Sequence, residues 1–119
     1  LNKENLESII ANNEIVIIDF WAEWCGPCKM FGPIFEDASN RHPDVVFAKV
    51  DTEQEQELAA YFQVRSIPMV VAFRDQVGIF NNPGLLKAPQ LDEILGKIKA
   101  LDMNQVREDI AKESDDTEQ

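Results

Sequence analysis

The chain has 119 residues, 45% of them hydrophobic and 28% charged, a size and composition that suit one globular domain with a modest core. Its formal net charge of -11 at pH 7 argues against nucleic acid and anionic membrane surfaces as partners, because no excess of basic residues can neutralise phosphates. No apolar run approaches the roughly 20 residues that cross a bilayer, and no basic flank with an apolar stretch marks a secretory signal, so a cytoplasmic location is expected.

The first half of the chain predicts helix, strand, helix and strand in that order. Asn2 can cap the first helix, and the β-branched apolar run Ile15–Phe20 predicts a buried strand. A second helix is expected to about Arg41, and Val45–Val50 predicts the next strand. Strand, helix and strand together have the length of a right-handed parallel unit.

The second half predicts a short helix and then a hairpin. Thr52 and Glu55 have the spacing of a capping box at a helix start. Residues 68–73 read as a strand and residues 77–80 as its hairpin partner, followed by a turn over residues 81–84. His42 has no catalytic partner in this pattern, and we expect it to be an ordinary surface residue.

The composition changes after the last predicted helix of the domain, which opens at Pro89. Residues 102–119 hold seven acidic and two basic residues, so we divide the chain into a domain over residues 1–101 and an acidic extension. A helix over residues 102–111 and a solvated tail beyond it are expected. The alternative is an extension that binds a partner or forms oligomers through three apolar residues, Met103, Val106 and Ile110.

The only two cysteines, Cys25 and Cys28, stand where the first strand passes into the second helix. Unpaired backbone N–H groups and the positive end of the helix dipole favour a thiolate there. Two cysteines and one histidine cannot supply the four ligands of a structural zinc site, so no metal is expected. A disulfide across so short a loop adds little stability, which favours a catalytic pair. We predict Cys25, exposed at the helix end, as the nucleophile and the more buried Cys28 as the resolving thiol.

Asp19 interrupts the otherwise apolar first strand. A carboxylate in a dry core is costly unless it is paired or protonated. Either Asp19 has a chemical role, or it marks a position of the strand that faces solvent.

The run from Asp19 to Cys28, DFWAEWCGPC, resembles the active site of the thioredoxin family, and the resemblance extends over roughly residues 1–100. It implies an α/β thioredoxin fold, with a central mixed sheet of four or five strands flanked by helices. The family has a strand before the first helix, and only Leu1 could belong to it here. We therefore expect that first strand to be truncated or missing.

The resemblance also implies roles for residues around the cysteines. Asp19 would lie beneath them as a buried acid of raised pKa that assists deprotonation of Cys28. Lys49 would lie near this acid, although it equally fits a surface lysine. Ile67 and Pro68 would form a cis-proline loop that pairs with an extended substrate segment. A flat apolar rim for docking partners would comprise Trp24, Gly26, Pro27, Ile67 and Gly84.

The function implied by the resemblance is reduction of protein disulfides through a reversible Cys25–Cys28 disulfide. No bound cofactor is expected; electrons would come from NADPH through a flavoprotein, thioredoxin reductase. A disulfide oxidase or isomerase is the alternative within redox chemistry, and Gly26-Pro27 argues against it, since reductases carry this dipeptide. A thioredoxin-like binding or chaperone module is the alternative from another class.

Overall fold

The structure, a computed structural model, describes the backbone of residues 3–118 and the side chains of residues 4–111. The predicted cap Asn2 and the predicted strand remnant Leu1 lie outside these residues. Within them, four strands form one mixed sheet flanked by helices, as the resemblance implies.

The sheet contains β1 (Ile15–Trp21), β2 (Val46–Asp51), β3 (Met69–Arg74) and β4 (Val77–Pro83). Their order is β2-β1-β3-β4. β1 pairs with β2 in parallel, whereas β3 pairs antiparallel with both β1 and β4. The central position of β1 explains why the strand is apolar apart from Asp19, because both faces of the strand are covered.

Five helices complete the described chain: α1 (Lys3–Asn12), α2 (Gly26–Arg41), α3 (Gln56–Tyr61), α4 (Ala88–Lys99) and α5 (Met103–Glu118). Residues of α2 and α4 form one hydrophobic core with one face of the sheet, and residues of α1 and α3 form a second core with the other face. The sheet is thus the middle layer of three.

Alternation along β1 divides its side chains between the two cores. Ile15 and Ile17 pack in the core that contains α2 and α4. Val16, Ile18 and Phe20 pack in the core on the other side. Asp19 follows Ile17 by two residues, so its carboxyl group lies on the α2 side of the sheet, beneath the helix that begins at the cysteines.

Two predicted turn and cap features are wrong. The Thr52 hydroxyl donates to the Trp21 carbonyl oxygen at 3.1 Å, so it ties the end of β1 to the following loop rather than capping α3, which begins only at Gln56. The predicted turn over residues 81–84 is mostly strand, because β4 continues to Pro83 and pairs with β3 along its whole length.

His42 is not an ordinary surface residue. Its ring is half-buried, with Nε2 lying 2.9 Å from Asp92 Oδ1 and Nδ1 lying 2.9 Å from Lys99 Nζ. Both partners belong to α4, so His42 joins the end of α2 to α4. The sequence does not show this, because His42 is 50 and 57 residues away from its two partners along the chain.

The extension is more regular than predicted. Asp102 accepts hydrogen bonds from the N–H groups of Asn104 and Gln105, which caps α5, and the backbone then stays helical to residue 118. The helix therefore continues beyond residue 111, where the predicted helix ends. Met103 is buried, whereas Ile110 is 44% exposed, so among the α5 side chains that the structure describes, the first turn joins the domain core.

Candidate active site

Cys25 and Cys28 form a disulfide at the start of α2, with their Cα atoms 5.2 Å apart. Cys25 is the N-cap residue, and its sulfur accepts a hydrogen bond from the Cys28 N–H at 3.2 Å. The sulfur therefore occupies the place of a serine or aspartate oxygen in an ordinary helix cap. In the reduced protein the same N–H and the helix dipole favour the thiolate of Cys25.

Both cysteines are buried, whereas the sequence analysis expected Cys25 to be exposed and Cys28 to be the more buried of the two. Cys25 is 4% exposed and Cys28 is 5% exposed, so the prediction of an exposed Cys25 is wrong. Ala22 is buried with them, and Trp21 and Ile67 pack against the same small cluster. Trp21 ends β1 and Ile67 precedes β3, and two elements distant in sequence thereby cover the disulfide.

The loop opposite the disulfide contains the cis peptide bond between Ile67 and Pro68, as the resemblance implies. The Ile67 carbonyl oxygen lies 3.7 Å from the Cys25 sulfur. The Pro68 carbonyl oxygen accepts a hydrogen bond from the Gly84 N–H at 2.8 Å, and this bond joins the loop to the end of β4. Gly84 has a φ of +99°, a conformation that glycine adopts readily.

Asp19 lies beneath the cysteines and is 1% exposed, so the alternative of a solvent-facing strand position is wrong. Burial raises its pKa to about 6, and the positive charge of Lys49 opposes that shift. Lys49 is its register partner on the parallel neighbour β2. Lys49 is itself exposed, so it both approaches the buried acid and reaches solvent.

A cavity of about 190 Å³ connects these groups. Asp19, Cys28 and Lys49 all line it, together with Gly32 of α2. Glu23 and Lys29 line it as well, and both are exposed. The cavity therefore leads from the surface to the buried carboxyl group and the second cysteine, so water and protons can reach them.

The predicted docking rim surrounds the disulfide unevenly. Trp24 is 69% exposed and Gly26 and Pro27 are exposed, whereas Ile67 and Gly84 are half-buried. The Trp24 indole N–H donates to Glu53 Oε1 at 2.8 Å, a contact that sequence analysis missed. Glu53 follows β2, and only the parallel pairing of β1 and β2 brings it to the cysteine loop.

The described residues contain no group of three or more side chains that could hold a metal ion. Among them no helix is long and apolar enough to cross a membrane. What the site offers is a disulfide between residues three apart at a helix start, a buried acid with a pKa of about 6 and an exposed indole beside them. These features define a protein that exchanges dithiols for disulfides.

Comparison with known proteins identifies the family. The sequence model of the Thioredoxin family matches residues 1–100. A putative thioredoxin 2 of Streptomyces coelicolor is 49% identical over 113 residues, which are 95% of this chain and 84% of the relative. A thioredoxin of Mycoplasmoides gallisepticum is 39% identical over 94 residues, 79% of this chain and 94% of the relative.

Solved structures agree with this assignment. A mutant thioredoxin from Halobacterium salinarum superposes with a TM-score of 0.79 at 31% identity, covering 85% of this chain and 88% of that one. The chain belongs to the thioredoxin family, and it is a protein-disulfide reductase that works by thiol-disulfide exchange.

The match to the Streptomyces relative also reaches the extension. Since it spans 113 of 119 residues, six at most are left out, and the match continues at least to residue 113. The resemblance to the family therefore covers residues 1–100, as predicted, and the similarity to this one relative continues beyond it into α5.

Proposed function

We propose that Cys25 is the nucleophile of this reductase and Cys28 the resolving thiol. The Cys25 thiolate attacks one sulfur of a substrate disulfide, forms a mixed disulfide and releases the other sulfur as a thiolate, which takes a proton from water. Cys28 then loses its proton, attacks the Cys25 sulfur and releases the second substrate thiolate. The substrate gains two electrons and two protons, and the protein is left with the Cys25–Cys28 disulfide.

The helix N-terminus supports this division of roles. The Cys25 sulfur accepts the Cys28 N–H, which stabilises an anion on Cys25. Cys28 instead lines the cavity that holds Asp19. The two thiols therefore differ in their surroundings. Those of Cys25 favour a stable thiolate, and those of Cys28 favour a proton transfer.

Asp19 accepts the proton of Cys28 in this proposal, and Lys49 positions the charge of Asp19. A base is most effective when its pKa lies near the working pH, and the pKa of Asp19 is raised to about 6. At pH 7 the carboxyl group is then mainly ionised and can accept a proton. The attraction of Lys49 limits the upward shift and keeps the acid in that range.

The rim of Trp24, Gly26, Pro27, Ile67 and Gly84 binds the substrate polypeptide. The loop at Ile67 and Pro68 faces the disulfide, and its backbone lies within 3.7 Å of the Cys25 sulfur. An extended substrate segment that pairs with this backbone places its own disulfide against Cys25. Disulfide-containing proteins are accordingly the partners.

Electrons come from NADPH through a flavoprotein, thioredoxin reductase, and the cycle operates in the cytoplasm. Reducing compartments keep dithiols of this kind reduced, which a reductase needs. The domain over residues 1–101 carries the reaction, and residues 102–119 form a separate acidic extension.

Trapping experiments test the roles of the two cysteines. Cys28→Ser should accumulate a covalent mixed disulfide with a protein substrate after an acid quench, because the resolving thiol is missing. Cys25→Ser is the matched control. It should not accumulate this adduct, because the attacking thiol is missing. Adducts from both variants in equal yield, or from Cys25→Ser alone, would overturn the assignment.

Single-turnover kinetics test Asp19. Asp19→Asn should slow resolution of the mixed disulfide at pH 7 on the order of 10²-fold while leaving the initial attack by Cys25 within about twofold. Glu23→Gln removes an exposed carboxylate from the same cavity and should leave both steps unchanged. Equal slowing of both steps by Asp19→Asn would remove Asp19 from the proton transfer.

The source of the electrons needs its own assay. The oxidised protein should support NADPH consumption by a flavoprotein thioredoxin reductase when an excess of disulfide substrate is present. In defined thiol buffers, the reduction potential of the Cys25–Cys28 couple should also be more negative than that of the glutathione pool. A potential well above that pool would instead indicate a disulfide oxidase or isomerase.

A further inference from the structure

Gly32 is a glycine in the interior of α2. A glycine in such a place destabilises a helix by about 1 kcal/mol relative to alanine. Its backbone is helical, so the usual advantage of glycine, access to positive φ, is not used here. The reason for a glycine at this position must therefore be sought in the space that a side chain would occupy.

That space is the cavity beneath the disulfide. Gly32 lines it together with Asp19, Cys28 and Lys49. A Cβ atom added at Gly32 would lie 3.9 Å from the Lys49 ammonium nitrogen, with no other side chain or distant backbone atom closer than 4 Å. A methyl group thus fits, but a longer side chain must enter the cavity or displace the ammonium group.

Filling the cavity would change the surroundings of Asp19 in two ways. Less water would reach the carboxyl group, and a displaced Lys49 would attract it less. Burial is the cause that raises the pKa of Asp19, and Lys49 is the group that lowers it, so both changes act in the same direction. Glu23 and Lys29 are the other charged groups on this cavity.

We propose that Gly32 is a positioning residue of the reductase, whose missing side chain keeps the cavity open for water and for the Lys49 ammonium group next to Asp19. The inference rests on the proposed transfer of the Cys28 proton to Asp19. Gly32 itself contacts no reacting atom. It acts by leaving Asp19 hydrated enough to be ionised at neutral pH.

The chain offers a matched control for this position. Gly96 lies in the interior of α4, and a Cβ atom added there meets nothing within 4 Å. Leucine or alanine at Gly96 changes helix propensity as it does at Gly32, without entering the cavity. Any difference between the two sites therefore reports on the cavity.

The first experiment measures resolution of the mixed disulfide against pH in the full chain. Gly32→Leu should move the midpoint of the pH profile upward by about one unit and so lower the rate at pH 7 about twofold, whereas Gly96→Leu should reproduce the parent profile. A folded Gly32→Leu protein with the parent profile would overturn the proposal.

Gly32→Ala covers the case in which the leucine variant does not fold. It should be more stable than the parent, as Gly96→Ala should be, yet still move the pH midpoint upward, by a smaller amount. An unchanged midpoint in Gly32→Ala, when Gly32→Leu is unfolded, counts against the proposal.

A spectroscopic titration separates this inference from the proposed function. The ¹³C resonance of the Asp19 carboxyl group should titrate at higher pH in Gly32→Leu than in the parent or in Gly96→Leu. If it does so while Asp19→Asn leaves resolution unaffected, the role of Asp19 fails but the effect of Gly32 on Asp19 stands. An unshifted titration with slowed resolution would contradict the inference on Gly32 alone.

Discussion

Two charged side chains, the buried Asp19 and the half-buried Arg74, lie near opposite ends of the same pair of strands, and the protein accommodates them in different ways. Asp19 lies on β1 beneath the disulfide, opposite Val70 of β3, whereas Arg74 lies at the other end of β3, opposite Ile15. Each has a buried polar atom without a hydrogen-bond partner among the described residues, namely Asp19 Oδ1 and Arg74 Nε. Their remaining contacts differ.

The guanidinium group of Arg74 is held by fixed partners. Its Nη1 donates to the carbonyl oxygens of Ile98, Lys99 and Leu101, at 2.8, 3.2 and 2.6 Å. These carbonyls lie at the end of α4 and just beyond it, where the helix dipole is negative and carbonyls lack partners within the helix. A permanent cation at this place joins the sheet to the junction between α4 and α5.

The charge of Asp19 is opposite to that of Arg74. Asp19 lies near Lys49 and lines a cavity, and its pKa is raised to about 6. Its protonation state can therefore change near neutral pH, whereas a guanidinium group stays protonated in proteins. The comparison teaches that burial of a charge has two outcomes in one sheet. Where hydrogen bonds are supplied the charge is structural, and where they are few the group is free to exchange a proton.

The largest expected effect concerns the stability contributed by Asp19. Its folded pKa of about 6 exceeds the unfolded value of 3.8, so the folded chain binds an extra proton between these pH values. The free energy of unfolding must then fall as pH rises through this window, by up to roughly 3 kcal/mol. Asp19→Asn cannot ionise, so its stability relative to the parent should increase by about that amount from pH 4 to pH 7.

Urea unfolding of the oxidised proteins at several pH values measures this difference. Carboxyl groups elsewhere titrate alike in both proteins and cancel. Parallel stability curves over pH 4 to 7 would show that burial does not raise the pKa of Asp19, and the contrast with Arg74 would disappear.

A smaller effect is expected at the other end of the strands. Arg74→Met keeps a long side chain but cannot donate to the three carbonyls, and it should reduce the free energy of unfolding by about 2 kcal/mol. The loss should be similar at pH 4 and pH 7, since a guanidinium group stays protonated over this range, a thioether is neutral, and the ion pair of Arg74 with Glu14 at 3.4 Å is largely exposed on the Glu14 side. Reductase activity per folded molecule should be unchanged.

Arg107 provides the control for Arg74. It belongs to α5 and makes one partly exposed ion pair with Asp75 at 3.5 Å, so Arg107→Met should cost less than about 1 kcal/mol. Equal losses from Arg74→Met and Arg107→Met would mean that the hydrogen bonds at the end of α4 contribute nothing beyond a surface charge.

The smallest effect should come from removing the extension. Deleting residues 102–119 leaves the partners of Arg74 in place but uncovers the site where Met103 is buried, and a loss of about 1 kcal/mol in stability is expected. Disulfide reduction should stay within twofold of the parent in a coupled assay. A large loss of activity in a folded truncated protein would show that α5 takes part in the reaction or in partner binding.

Sequence analysis predicted the chemistry of the site better than its surroundings. The spacing of Cys25 and Cys28 at a strand-to-helix junction is local, so its chemical meaning is readable without the fold. The apolar run of β1 made Asp19 conspicuous for the same reason. The exposure of a side chain depends on residues that are distant in the sequence. Cys25 was wrongly predicted to be exposed because Ile67, which packs against the disulfide, comes from another part of the chain.

The failures at Thr52 and His42 have a similar origin. The Thr52 hydroxyl donates a hydrogen bond to the end of β1, and the His42 ring contacts two residues of α4. Thr52 had a plausible local role as a helix cap, and His42 had no evident partner. In the structure, each side chain contacts a residue that is distant in the sequence. Side-chain hydrogen bonds between elements depend on packing that no short window of sequence describes.

The sequence by itself determined the order of strands and helices around β1, the redox pair and the helical start that favours the Cys25 thiolate, because each depends on periodicity or spacing within a few residues. The thioredoxin fold and the burial of Asp19 were implied by the family resemblance. Only the tertiary structure decided that Asp19, Lys49 and Gly32 share a cavity and that Arg74 binds the end of α4. The physical reason is strand pairing: the parallel register of β1 with β2 places Lys49 beside Asp19, and the packing of α2 on that face places Gly32 above them both.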